Sequence, residues 1–348
     1  MTERNSAADA TRGAHRLPVL DGVRALSIGM VLAGHLFPLG PSQLGLNGAV
    51  AALGMALFFC LSGFLIASFL DARPDVAEFA VRRVFRIVPG LALFLAVAAA
   101  VGSGVTWKSA LINLGFFANY DYAGLGPGPI GHLWSLSVEM QFYGAISLVV
   151  LILGRRGLWV LPVAAVGVTL LRIQAGALIN INTHLRVDEI LTGGTLALIV
   201  RRLGPVRISP GPGAAVGVVC LGVVWALSGY EPAGAVNYAR PYLTAGLVGA
   251  VLIGPLPTLQ RVLSAKALRY VADISYALYL YHPLMVTGVL AGHGTVGAYL
   301  IKRPISVLLT WGAAHLSTFG WERRWNDLAR GPVFAWLRAW GRVSSSAR

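Results

Sequence analysis

The side chains best suited to chemistry interrupt the first apolar stretch, Leu17–Phe37, which carries Asp21, Arg24 and His35. Arg24 and His35 are eleven residues apart. At 3.6 residues per turn that is close to three turns, so a helix would place both on one stripe about 16 Å apart along its axis. A charge in hydrocarbon costs several kcal/mol unless paired or wetted. Two ionisable groups on one stripe therefore predict a polar cleft along this helix. A snorkelling arginine and a hydrogen-bonded histidine at the helix ends would account for the same residues.

Four further clusters add candidates. In the run 80–89 Arg82, Arg83 and Arg86 stand at i,i+4 and i,i+3 spacing to one another, so they share a helix flank. Guanidinium forks bind phosphate oxygens bidentately, and beside Arg24 they would form a phosphate cradle. Basic helix ends also anchor topology and touch anionic lipid. The run 132–143 carries His132, Trp134, Ser135 and Glu139. An acid inside an apolar helix is a functional candidate, here as a base or as the partner that orients His35. In 185–197 Asp188 and Glu189 stand beside Arg186, and Gly193 and Gly194 would let two helices approach closely. In 274–283 Tyr276 and Tyr279 precede His282–Pro283, where the histidine would either bond a carbonyl freed by the proline or line a cavity.

These residues need a scaffold, and the composition supplies one. The 348 residues are 56% hydrophobic and 12% charged, with mean hydropathy +0.69. This excludes an ordinary soluble domain, where about 25% of residues are charged. The fold class predicted is all-α, a polytopic transmembrane bundle. Spans are expected near 18–38, 49–70, 88–105, 134–153, 158–173, 187–202, 213–229, 240–256, 273–291 and 298–317. Residues 109–118 are too short to cross and read as a re-entrant or interfacial piece.

The formal charge of +14 invites a nucleic-acid reading, but the basic residues sit in short segments between apolar runs. Twenty-one of the 28 lysines and arginines fall on one side of a ten-span arrangement and six on the other. That bias predicts both termini in the cytoplasm, with no nucleic-acid partner. Residues 1–16 read as a disordered cytoplasmic segment, 17–325 as the membrane domain and 326–348 as a cytoplasmic tail. The first span reads as uncleaved, since Asp21 and Arg24 interrupt it. Cys60 and Cys220 lie in apolar runs without metal-site spacing and are expected to pack in the core.

Taken together, the motifs resemble the acyltransferase-3 family of integral-membrane O-acyltransferases, to which O-antigen acetylases belong. The residues that carry the resemblance are 20–35, 58–66, 82–89, 132–143, 186–194, 274–283 and 321–325. The resemblance implies about ten spans in a bacterial-type inner membrane. It also implies transfer of an acyl group, usually acetyl, from cytoplasmic acyl-CoA to a hydroxyl of an envelope glycan, lipid-linked sugar or secondary metabolite. The family's arginine–histidine pair maps onto Arg24 and His35, its paired arginines onto Arg83 and Arg86, and its Trp-Ser…Glu motif onto Trp134, Ser135 and Glu139. Met140 and Cys60 depart from the usual pattern.

On this reading His35 and Glu139 are catalytic. Arg24, Arg82, Arg83 and Arg86 hold acyl-CoA, and Asp188, Ser135, Trp134, Tyr279 and His282 support the acceptor side. Acyl-CoA is a co-substrate, no metal is expected, and membrane lipid is a partner. With so little chain after the last span, the esterase-like domain of longer relatives is expected to be missing. A transporter for an acidic solute or acyl group, with no ester-forming chemistry, is the rival reading.

Overall fold

A computed structural model describes residues 17–121, 128–204, 212–254, 256–292 and 296–333. The segment 1–16, the last fifteen residues of the expected tail and part of the Gly/Pro-rich stretch after Asn119 lie outside them. Among the described residues all regular structure is helical.

The chain opens with α1 (Pro18–Leu36), which has proline in its first turn and Asp21 where the helix dipole favours an acid. Then come α2 (Leu46–Ala72) and α3 (Val76–Ala100). The Asp75 carboxylate caps α3 by accepting from the Glu78 amide at 2.8 Å. This cap starts the helix twelve residues before the expected span, so the arginines of 82–86 ride on α3. The segment expected at 109–118 is α4 (Trp107–Leu114), closed at its start by a reciprocal Thr106–Ser109 capping box. Its eight residues reach only about 12 Å, too short to cross.

Next are α5 (Trp134–Leu153) and α6 (Val160–Gln174), joined by the tight turn Gly154–Trp159. The chain continues through α7 (Asp188–Leu203), α8 (Pro212–Ser228), α9 (Val236–Ile253), α10 (Pro257–Leu263) and α11 (Lys266–Tyr281). It closes with α12 (Arg303–Leu316) and α13 (Arg323–Leu328), connected by a wider π turn.

Among the described residues four helical runs are long and apolar enough to cross a membrane, and the α9–α10 pair, bent by 99°, would make five. The all-helical membrane bundle is thus present, while the expected count of ten spans is not confirmed by helix length and composition. The helices outside that count are mostly shorter: at 1.5 Å per residue the 14 residues of α12 reach about 21 Å, against a hydrocarbon core of about 30 Å. The helix expected at 273–291 is also cut short. It starts earlier, at Lys266, and ends at Tyr281, because Pro283 has no N–H with which to continue the ladder. Cys60 is fully buried as expected, whereas Cys220 is exposed on α8.

The centre of the bundle is α2, which packs chiefly against α7 and α1. Small residues set the α2–α7 approach. A Cβ on Gly63 would sit 1.8 Å from the Ile190 carbonyl oxygen, and one on Gly193 would sit 2.0 Å from that of Cys60. Both obstacles are backbone, so neither can swing aside. Gly193→Val should therefore force α7 off α2 and cost at least the roughly 1–3 kcal/mol typical of overpacking, read as a lowered melting temperature in detergent.

Candidate active site

Helix α1 is unbroken from Pro18 to Leu36, so Arg24 and His35 do share its stripe. The other helices give these two residues different company.

Around Arg24 lies a cleft of about 50 Å³ lined by Arg24, Arg83, Arg86, Glu139, Ser62 and Tyr276, among others. Three helices supply its charges: α1 gives Arg24, α3 gives Arg83 and Arg86, and α5 gives Glu139. The Arg83 guanidinium lies over the rings of Phe79 and Tyr143, 5.5 and 5.3 Å from their centroids, which holds it without neutralising it. The Glu139 carboxylate accepts from the Ser62 and Tyr143 hydroxyls, which are themselves 3.1 Å apart. Tyr276 donates to the Ile87 carbonyl at 2.7 Å and ties α11 to the arginine-bearing turn of α3. Asp21 and Glu322 act electrostatically on Arg24 and Arg86 respectively. Within the lining, three guanidinium groups face one carboxylate, an arrangement suited to an anion with several charges. Arg82 does not line the cleft: its guanidinium pairs with Glu78 at 2.5 Å, one turn back along α3.

His35 stands at the opposite end of α1, exposed, and its Nδ1 is 2.9 Å from Nε2 of His282. The two ring planes are 7° apart with centroids 5.1 Å apart. Each nitrogen is offset from its ring centre by about a bond length, so this separation means rings edge to edge in a common plane. That is the geometry of a straight hydrogen bond rather than a face-to-face stack.

The direction of this bond follows from the chain. Pro283 has no N–H, which leaves the carbonyl four residues earlier, that of Tyr279, without its helical donor. His282 Nδ1 lies 2.8 Å from that oxygen. A carbonyl only accepts, so His282 Nδ1 carries the proton, and in the neutral ring Nε2 is then a lone pair. It must accept from His35 Nδ1–H. The lone pair of His35 is thereby placed on its other nitrogen, Nε2. A backbone gap one residue beyond a histidine thus fixes which atom of a second histidine, 247 residues away, can take a proton.

Tyr279 joins this pair to α5. Its hydroxyl donates to the His132 carbonyl at 2.5 Å and lies 2.9 Å from the Ser135 hydroxyl. The His132 ring meets those of Tyr279 and His282 edge-on, with centroids 4.7 and 5.3 Å away. The expected direct pairing of His35 with Glu139 is replaced by two clusters. Glu139 is bonded within the arginine cleft and His35 within the histidine group. The cause is register: Ser135 and Glu139 lie one turn apart on α5, and the earlier residue faces Tyr279 while the later faces Ser62.

Asp188 and Glu189 are fully buried, so an exposed placement is excluded. Asp188 accepts from Arg172 at 2.5 Å, while Glu189 accepts from Arg186 at 3.1 Å and from Arg240 at 2.8 Å. Arg186 also lies 5.7 Å from the ring centroids of both Phe59 and Trp134. Asp188 and Trp134 thus belong to an ionic and aromatic framework behind the site.

Ser62 and Tyr143 were not among the sequence candidates. Tyr143 follows Glu139 by four residues, so its place on the same helix face was readable; Ser62 reaches Glu139 only through the crossing of α2 and α5. Among the described residues no group of three or more His, Cys, Asp or Glu side chains is placed to hold a metal ion.

The chain is similar to several known proteins. It is 26% identical over 322 residues to the peptidoglycan O-acetyltransferase OatA of Listeria monocytogenes, covering 78% of this chain and 49% of that protein. It is 27% identical over 336 residues to the putative peptidoglycan O-acetyltransferase YrhL of Bacillus subtilis, with the same coverage. It is 25% identical over 351 residues to the O-acetyltransferase OatA of Staphylococcus aureus, covering 84% of this chain and 55% of that one. The chain thus spans about half the length of these relatives. No solved structure matches it. The family model described as an acyltransferase domain matches residues 17–317, which include both clusters and the framework behind them, and the chain belongs to that family.

Proposed function

We propose that the chain is a membrane O-acyltransferase that moves an acyl group, acetyl by preference, from acyl-CoA to a hydroxyl of an envelope glycan. The observation that carries this reading is the arrangement along α1. A multiply cationic cleft at Arg24 and a histidine with its lone pair directed outward at His35 lie on one helix, three turns apart. Arg24, Arg83 and Arg86 would hold the phosphates of CoA, and the pantetheine arm would follow α1 toward His35. This lets a donor bound near one end of the helix deliver its thioester near the other.

In the chemical step His35 Nε2 takes the proton of the acceptor hydroxyl as its oxygen attacks the thioester carbonyl. The C–S bond breaks, an ester forms, and the proton passes from His35 to the departing CoA sulfur. Glu139 sets the charge of the donor cleft and, through Ser62 and Tyr143, the place of its walls. The names of the relatives favour peptidoglycan or a related glycan as acceptor, with lipid-linked sugars and small alcohols sharing the same chemistry. Both termini would lie in the cytoplasm of a bacterial inner membrane. The helices of 14–18 residues would complete about ten spans across locally thinned bilayer.

The test is the full chain reconstituted in liposomes with labelled acetyl-CoA and peptidoglycan fragments, with product ester read by mass spectrometry. No ester from the wild-type chain with any glycan, lipid-linked sugar or small alcohol offered would overturn the reading. Arg83→Ala with Arg86→Ala should raise KM for acetyl-CoA by about 10-fold or more while kcat changes little, since these contacts hold donor equally in ground and transition states. An unchanged KM would remove the arginines from donor binding.

A further inference from the structure

We infer that a second, separate site binds one anionic phospholipid, in the cleft between the later halves of α2 and α7. This cleft, about 330 Å³, is lined by Phe64, Ala67, Ser68, Asp71, Leu198 and Arg201, with a few more apolar groups. That volume lies at the lower end of the range occupied by ligand pockets.

It is distinct from the donor cleft. At about 100° per residue, Phe58, Ser62 and Leu65 share one face of α2. Phe64, Ala67 and Asp71 lie well over a quarter turn round, with Ser68 at the edge between, so the two clefts open on different faces of one helix and share no lining residue.

Charge identifies the occupant. At the end of the apolar channel Asp71 is bonded by Arg201, and Arg155 adds a second contact at 3.4 Å. Next to Arg201, the Arg202 guanidinium lies 4.2 Å above the Trp159 ring. Two guanidinium groups thus share one carboxylate, with Arg202 held on Trp159 beside them, and Arg155 and Arg201 are each about half exposed, at 51% and 48% of the side chain. A surplus of positive charge remains at the mouth of an apolar slot. Trp159, itself part-exposed, has the amphipathic ring found at the level of lipid headgroups. Phosphate oxygens suit the guanidinium forks, and an acyl tail suits the wall of Phe64, Ala67 and Leu198. A zwitterionic lipid would bring its own ammonium to a site already rich in cations, and a free phosphate would leave the slot unfilled.

Full-length protein in nanodiscs of dioleoyl phosphatidylcholine, titrated with dioleoyl phosphatidylglycerol, provides the test, with retained lipid counted by native mass spectrometry. One phosphatidylglycerol should be retained in preference to phosphatidylcholine. Arg155→Gln and Arg202→Gln leave the Asp71–Arg201 bond in place, and each should weaken that preference about fivefold. Ser68→Trp fills the slot without touching a charge and should abolish retention. Equal retention of the two lipids, undiminished retention in Ser68→Trp, or equal competition by glycerol 3-phosphate would overturn the proposal. None of these readouts depends on acyl transfer.

Discussion

His35→Ala should lower kcat for acyl transfer by about 10²–10⁴-fold, the range expected for loss of a positioned general base, with little change in KM for acetyl-CoA. The split follows from the geometry. Donor binding is assigned to Arg24, Arg83 and Arg86 at one end of α1, and His35 touches none of the groups that line that cleft. Single-turnover transfer in liposomes, with binding of a non-hydrolysable CoA analogue measured alongside, checks both halves. Wild-type turnover in the variant would remove His35 from the chemistry.

The histidine pair adds a graded expectation. His282→Phe leaves His35 in place but takes away the acceptor of its Nδ1 proton, so the imidazole can adopt either tautomer. Turnover should fall by less than in His35→Ala, and the pH profile should shift, because the remaining base is no longer oriented. Pro283→Ala acts one step further back. It restores an amide that competes with His282 for the Tyr279 carbonyl, and it should reproduce a weaker form of the His282→Phe effect. If the pH profiles of both variants match wild type, the relay from Pro283 to His35 has no part in positioning the base.

The largest stability effect is expected at Glu189. This carboxylate is fully buried and accepts from two guanidinium groups, Arg186 in the turn before α7 and Arg240 on α9. Glu189→Ala leaves both cations without it in a dry interior, and removing one partner of a buried pair costs about 3–5 kcal/mol. Arg240 retains the Ser228 carbonyl at 3.2 Å, and Arg186 retains its aromatic bracket, but neither supplies negative charge. The variant should melt well below wild type in detergent. Glu189→Gln keeps an acceptor and should fall between. Loss of Glu189 should also loosen Trp134 through Arg186, visible as a shift in tryptophan fluorescence. An unchanged melting temperature in Glu189→Ala would show that the network contributes specificity rather than stability.

The sequence by itself determined a good deal. Composition and apolar runs determined an all-helical chain, because a backbone surrounded by hydrocarbon must satisfy its own hydrogen bonds. Helical spacing placed Arg24 with His35 on one stripe and Arg83 with Arg86 on one flank, since periodicity is a local property. The glycines at 193 and 194 marked a close helix contact for the same reason. The His282–Pro283 pair already announced a freed carbonyl four residues upstream.

What remained unreadable depends on how separate helices cross. Nothing local says that Ser62 of α2 meets Glu139 of α5, or that Arg240 reaches Glu189 across 51 residues. The expected bond between His35 and Glu139 was reasonable from charge and depth alone. The register of α5 against its neighbours decided otherwise, giving Glu139 to the arginines and Ser135 to Tyr279. Helix lengths also resisted the sequence, because a hydropathy window continues through Pro283 while the hydrogen-bond ladder does not. The residues able to do chemistry were therefore visible in the chain, and their partners were set only by packing. Side-chain types and spacings are local, whereas a hydrogen bond between helices needs both backbones fixed to within an ångström.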